Sequence, residues 1–241
     1  MQLCYYIVEN ATDTKLSASV RKATAVDFER TALEHWQTDW RTDYIQDAAL
    51  EKYALEVDGT RELVGLGAYR NMPEGVLVYV EYMESAPSGN PTIQQPRKYS
   101  GIGAALLAFG IQLSIDYGYG GAIYLKAKTT QLREHYMKAY GAIPFSHFDP
   151  FLLLIDGEAA RELFGQDLKE DGQMQKHEYL ELDALAAPNG YVAPPTQEDL
   201  AYVVHFRKTC QRYQIDFAKA DQDERNFVIH MAEKTFFRKR A

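Results

Sequence analysis

Residues 97–141 read RKYSGIGAALLAFGIQLSIDYGYGGAIYLKAKTTQLREHYMKAYG. The pattern is a glycine turn, a long apolar helix over 101–117, a glycine-rich loop, a buried strand and a second helix that carries tyrosines. The turn falls at the start of the first helix. The amides of Tyr99, Ser100, Gly101, Ile102 and Gly103 are expected there as unsatisfied donors of the first turn, with partial positive charge from the helix dipole. Such a helix start suits a phosphate or pyrophosphate. Gly101 and Gly103 lack a Cβ, so an anion can approach the main chain closely. Arg97 and Lys98 add cationic side chains beside it.

A dinucleotide fingerprint fits poorly, because the third glycine position is Leu106 and the residues before the turn are polar and basic rather than a strand. A phosphate loop of the Gly-Lys-Ser/Thr type is absent. The net charge of −8 argues against general nucleic-acid binding, leaving only a local basic patch open. The two cysteines, Cys4 and Cys210, lie far apart and make neither a disulfide framework nor a metal cluster. No metal site is expected, and the plain reading is a reducing cytoplasm. The start MQLCYYIVEN lacks the basic segment and cleavage site of a secretion signal, and no apolar run approaches a membrane span.

Taken in order, residues 2–8 read as a first strand. Residues 20–40 read as a helix capped by Thr24, with Val26, Phe28, Leu33, Trp36 and Trp40 as a partial apolar stripe. Residues 52–59 and 61–71 form a hairpin turning at Asp58-Gly59. In the next strand, VLVYVEYME (76–84), strict alternation puts Val80, Tyr82 and Glu84 on one face and Tyr79, Glu81 and Met83 on the other. Glu81 and Glu84 are therefore expected on opposite faces. APSGNPTIQQP (86–96) is read as a flap over a cleft or as a surface loop. AIYLKAK is a strand, Thr129 or Thr130 caps the helix after it, PFLLLI is a further strand, and residues 157–164 a short helix. Residues 166–195 read as a linker. Two amphipathic helices occupy 196–241, a thin core that must pack on the rest of the chain or on a second copy, so a homodimer is open. Arg238, Lys239 and Arg240 end the second helix as dipole-complementing cations, or as a contact for nucleic acid.

Three features together resemble the GNAT superfamily of acyl-CoA-dependent N-acetyltransferases, most firmly over 75–155. Lys98-Tyr99-Ser100-Gly101-Ile102-Gly103, followed by Ala104-Ala105-Leu106-Leu107, is similar to that family's pyrophosphate loop, with Lys in its first place. Tyr136-Met137-Lys138-Ala139-Tyr140-Gly141-Ala142 is similar to its tyrosine-to-glycine stretch. VLVYVEYMESAP supplies the apolar strand before the loop. Glu84-Ser85-Ala86-Pro87 and Ala127-Lys128-Thr129 also look like a small bacterial subgroup with no settled acceptor.

The resemblance implies an α/β (α+β) GNAT fold: a mixed, mostly antiparallel central sheet, splayed at the cofactor site and flanked by helices. It implies a catalytic domain over 1–165, with the C-terminal helices as an extension. It implies acetyl-CoA bound by Lys98, Tyr99, Ser100, Gly101, Ile102, Gly103 and Ala104 at the pyrophosphate and by the backbone of Tyr82, Met83 and Glu84 along the pantetheine arm. The family often has Asn near the cap at Thr129, so that cofactor contact is the least supported. Tyr136 would protonate the departing CoA sulfur, with Tyr140 as the fallback. Glu84 or Glu81 would serve as base, or each is an ordinary strand carboxylate. Trp36, Trp40 and Tyr44 are core residues or acceptor contacts. The function implied is direct acetyl transfer from acetyl-CoA to an amine on a small molecule or protein. The competing readings are a non-catalytic acyl-CoA-binding regulator and a toxin that acetylates aminoacyl-tRNA.

Overall fold

The computed structural model describes residues 5–31, 36–90, 93–156 and 196–238. Leu33, Cys4, the helix expected at 157–164, the linker at 166–195, and Lys239 and Arg240 lie outside the described residues.

The chain builds a nine-stranded sheet in the order β6-β1-β2-β3-β4-β5-β7-β9-β8. The strands are β1 (Tyr5–Glu9), β2 (Thr14–Lys22), β3 (Leu50–Val57), β4 (Leu63–Met72), β5 (Leu77–Ser85), β6 (Tyr99–Ser100), β7 (Ile123–Lys126), β8 (Ile143–Pro144) and β9 (Leu152–Ile155). β5 and β7 pair in parallel, and every other pair is antiparallel. The mixed, mostly antiparallel sheet flanked by helices is the architecture expected from the sequence. The hairpin at Asp58-Gly59 is present, with Gly59 in the left-handed region (φ 84°).

The helices are α1 (Ala25–Glu29), α2 (Ile102–Asp116), α3 (Thr130–Tyr140), α4 (Gln197–Tyr213) and α5 (Gln222–Arg238). One face of the sheet carries α2 and α3. Val78, Val80, Ile123 and Leu125 meet Leu107, Ile111 and Tyr140 there. α2 is apolar all round and buried on most sides, as a helix packed between neighbours must be. The other face carries α4 and α5 at one end, where Leu77, Tyr79, Tyr124 and Phe145 meet Val203, Phe206 and Val228. At its other end that face is covered by the segment with Trp36, Trp40 and Ile45, packed on Ala54, Leu66 and Ala68. The C-terminal helices thus pack on the sheet itself.

The long helix expected over 20–40 is not formed. β2 runs to Lys22, and α1 is a single short helix. Thr24 caps it in a reciprocal box with Asp27, and Arg21 binds both Asp27 and Glu56. Pairing of Val20–Lys22 with β3 satisfies backbone groups that a helix would have satisfied internally. Trp36 and Trp40 are core residues, at 5% and 0% exposure, whereas Tyr44 is exposed.

Candidate functional site

β5 and β7 are joined only over Val78–Ile123, Tyr79–Tyr124 and Val80–Leu125. Beyond Val80, β5 continues to Ser85 with its β7-facing edge open, and β7 ends at Lys126. The gap is a cleft. Val80, Glu81, Tyr82, Met83, Glu84 and Ser85 form one wall, and Leu125, Lys126, Lys128, Thr129, Leu132 and Tyr136 the other. Gly103 and Leu106 of α2, together with Gln37 and Asn90, complete the lining.

The open edge begins at a bulge. Tyr69 of β4 opposes Val80, but its neighbour Ala68 opposes Tyr82, so Glu81 is the extra residue. A bulge resets the alternation of side chains. Val78, Val80 and Met83 consequently face α2, while Tyr79, Glu81, Tyr82 and Glu84 lie on the opposite face. The expectation that Glu81 and Glu84 point to opposite faces is therefore corrected: both reach the same side of the cleft. Pattern reading alone treats the strand as regular.

The two carboxylates differ in their partners. Glu81 makes a bidentate pair with Arg70, at 2.6 and 3.1 Å, and Arg70 also binds Asp47. Glu84 accepts from the Gln37 amide at 2.7 Å and from Trp40 Nε1 at 3.0 Å. Burial pushes its carboxyl above the ordinary value. The hydrogen bonds from Trp40 and Gln37 and the charge of Lys128 act the other way without cancelling that effect. Tyr82 stacks edge-on against Trp40, bonds Thr38 through its hydroxyl at 2.5 Å, and carries the Lys128 ammonium 3.8 Å from its ring centroid. Such a cation–π contact contributes roughly 0.5–2 kcal/mol.

At the start of α2, no side chain caps the helix, and the first intrahelical bond is Ala105 N to Gly101 O. The amides of Ile102, Gly103 and Ala104 are its leading donors. Gly101 is left-handed (φ 84°), and a Cβ built on Gly103 would meet nothing within 4 Å. Tyr99 and Ser100 do not belong to this turn, contrary to expectation. They form β6 and pair with Glu9 and Val8. Their side chains are also engaged elsewhere, Tyr99 on Glu62 and Ser100 on Asn10. Lys98 binds Glu62 at 2.7 Å and is not among the cleft-lining residues. Ile102 is buried under the sheet. The loop at 86–96 is fastened at its base, where Lys98 N bonds Ser88 O.

Thr129, not Thr130, caps α3: its hydroxyl accepts from Leu132 N at 3.1 Å. Tyr136, two turns on, is half-buried in the cleft wall, whereas Tyr140 is buried behind it. His135 contacts both of these rings, and burial together with Lys138 lowers its imidazole to about 4, so it is neutral at neutral pH. Cys210 is buried in the α4 core, which pushes its thiol up to about 12 and suits no nucleophile. Among the described residues no cluster of three metal-ligating side chains occurs, and no helix is long and apolar enough to cross a membrane.

Lys126 and Lys128 were not singled out as site residues by the sequence. Lys126 is held by Asp149 at 2.7 Å and by Asp199 at 3.0 Å. Burial opposes its charge, but those bonds outweigh it and raise the ammonium's pKa. Asp199 is also the return partner of Thr196 at the start of α4, so the C-terminal helices reach the cleft through Lys126. Lys126 lies in no motif, and Lys128 lies in the Ala127-Lys128-Thr129 tract without a role implied for it, so their place in the cleft comes from the fold.

No family model and no curated protein matches the chain. Among solved structures it is similar to nourseothricin acetyltransferase, at 15% identity over 46% of this chain and 74% of that one, with a TM-score of 0.32. It is similar to a KacTA–DNA complex at 17% identity over 62% and 99%, with a TM-score of 0.43. It is similar to a mutant cAMP-binding acyltransferase from Mycobacterium smegmatis at 14% identity over 68% and 52%, with a TM-score of 0.38. Likenesses this distant carry no weight for function, which rests on the cleft's own residues.

Proposed function

We propose that the protein is an N-acetyltransferase that moves an acetyl group from acetyl-CoA directly to the amine of a small molecule or protein. One observation carries the reading. The uncapped start of α2 at Gly103, the open edge of β5, Glu84 and Tyr136 all line one cleft, at the point where two parallel strands part. The space at Gly103 and the leading amides of α2 suit a pyrophosphate. The open main-chain edge from Glu81 to Ser85 suits an extended amide-bearing arm.

When bound, acetyl-CoA supplies an activated thioester carbonyl. Main-chain N–H groups on the β5 edge polarise that carbonyl. Glu84 takes a proton from the acceptor ammonium, and burial, which raises its carboxyl above the ordinary value, makes it a stronger base. Glu81 is the poorer base because both its oxygens are tied to the Arg70 cation, whereas the donors on Glu84, the Gln37 amide and the Trp40 indole, are neutral. Tyr136 gives its hydroxyl proton to the departing sulfur. Among the described residues the one cysteine, Cys210, is buried outside the cleft and offers no nucleophile for an acyl-enzyme.

The test is release of free CoA thiol from acetyl-CoA across a panel of primary amines and lysine peptides. The wild-type protein should release thiol over many turnovers only when a suitable amine is present. Tyr136→Phe should lower the rate by on the order of a hundredfold while cofactor binding persists. A wild-type protein that binds acetyl-CoA yet acetylates no amine would support the non-catalytic reading instead.

A further inference from the structure

We propose that Lys128 is itself an acetyl acceptor, modified within its own cleft. This rests on the acetyltransferase reading above. Two lysines line the cleft, and they are held differently. Lys126 is locked by two aspartates, with its side chain 9% exposed. Lys128 is half-buried, and among the described residues no carboxylate bridges it. The Tyr82 ring holds its ammonium, 3.8 Å from the centroid. A π face holds an ammonium without hydrogen-bonding its protons away, so this amine leaves its seat more easily than an ion-paired one.

Its surroundings are those of an acceptor amine. Tyr82 belongs to the stretch of β5 that lines the cleft, and Lys128 lies close enough to Glu84 to act on its carboxyl. Lys128 also directly precedes Thr129, the cap of the helix that carries Tyr136. Base, acid and amine therefore share one space.

The step balances without any further reagent. Glu84 takes one proton from the Lys128 ammonium. The neutral Nζ then bonds to the acetyl carbon as the carbon–sulfur bond breaks. Tyr136 gives its proton to the sulfur and recovers one from the nitrogen. The products are an amide on Lys128, CoA thiol and one proton left on Glu84 for solvent. The product replaces a cation beside Glu84 and Tyr82 with a neutral amide, which alters the seat that an external amine would meet.

The full chain is incubated with acetyl-CoA, and acetylation at each lysine is followed by peptide mass mapping, with acetyl-CoA binding measured in parallel by calorimetry. Lys128 should be acetylated well ahead of the exposed Lys208 and Lys234, at a rate per molecule that does not change on dilution. Glu84→Gln and Tyr136→Phe should each slow it by on the order of a hundredfold. A wild-type protein that binds acetyl-CoA but acetylates Lys128 no faster than those surface lysines would overturn the proposal and leave the acetyltransferase reading standing. So would a rate that rises with protein concentration, which would mean modification between molecules. Absence of acetyl-CoA binding would remove both.

Discussion

Glu81 and Glu84 sit on the same face of β5, three residues apart, because Glu81 occupies a bulge between Val80 and Tyr82. The bulge brings two buried carboxylates to one cleft and gives them different work. Glu84→Gln should lower kcat by roughly 10²–10⁴-fold with little change in acetyl-CoA affinity. Glu81→Gln should act on the fold instead. It leaves Arg70, 13% exposed, short of its main partner and should lower stability by about 3 kcal/mol in urea unfolding. The opposite pattern would reassign the base.

The pH profile should follow Glu84. The carboxylate acts as a base only when deprotonated, so the rate should rise with pH through its pKa, which burial places above 4.5. The acid limb of kcat against pH should therefore lie above the ordinary glutamate value of 4.5, and it should be absent from the residual rate of Glu84→Gln. An unchanged limb in that variant would assign it to another group.

The two glycines at the start of α2 should separate fold from function. Gly101 has a φ of 84°, so Gly101→Ala should cost about 1–2 kcal/mol of stability. Gly103 has open space where a Cβ would go and lies inside the helix, so Gly103→Ala should be neutral or stabilise by up to about 1 kcal/mol. Thermal melts of the two variants check this directly.

The C-terminal helices should unfold with the sheet. Phe206 is fully buried between Phe145 beside β8 and Phe217 beyond α4. Phe206→Ala should lower stability by about 3–5 kcal/mol in one cooperative urea transition. Two separate transitions would mean that α4 and α5 form a unit of their own.

Much of this was legible in the sequence, for physical reasons. α2 announces itself through a glycine start and a run of apolar residues, and β3–β4 through Asp58-Gly59. Gly103, Thr129 and Tyr136 lie in motifs whose spacing is local, and the fold brings them to one cleft. The failures are non-local. Residues 20–22 have helix-compatible patterning but pair with β3, which residue order does not reveal. The bulge depends on how β4 and β5 register, so the shared face of Glu81 and Glu84 was hidden. Tyr99 and Ser100 were drawn into β6 by β1, some ninety residues earlier. Lys98 was claimed by Glu62, a partner that no motif contains.

The most direct measurement is calorimetric titration of the full chain with acetyl-CoA and with CoA, repeated on Gly103→Phe. The substitution grows a bulky side chain from a Cβ that meets nothing within 4 Å, beside the leading amides of α2. The wild-type protein should bind saturably, and that binding should be lost in a variant that melts normally. Wild-type protein that is folded and binds neither ligand, or a Gly103→Phe variant that binds as well as wild type, would contradict the proposed site.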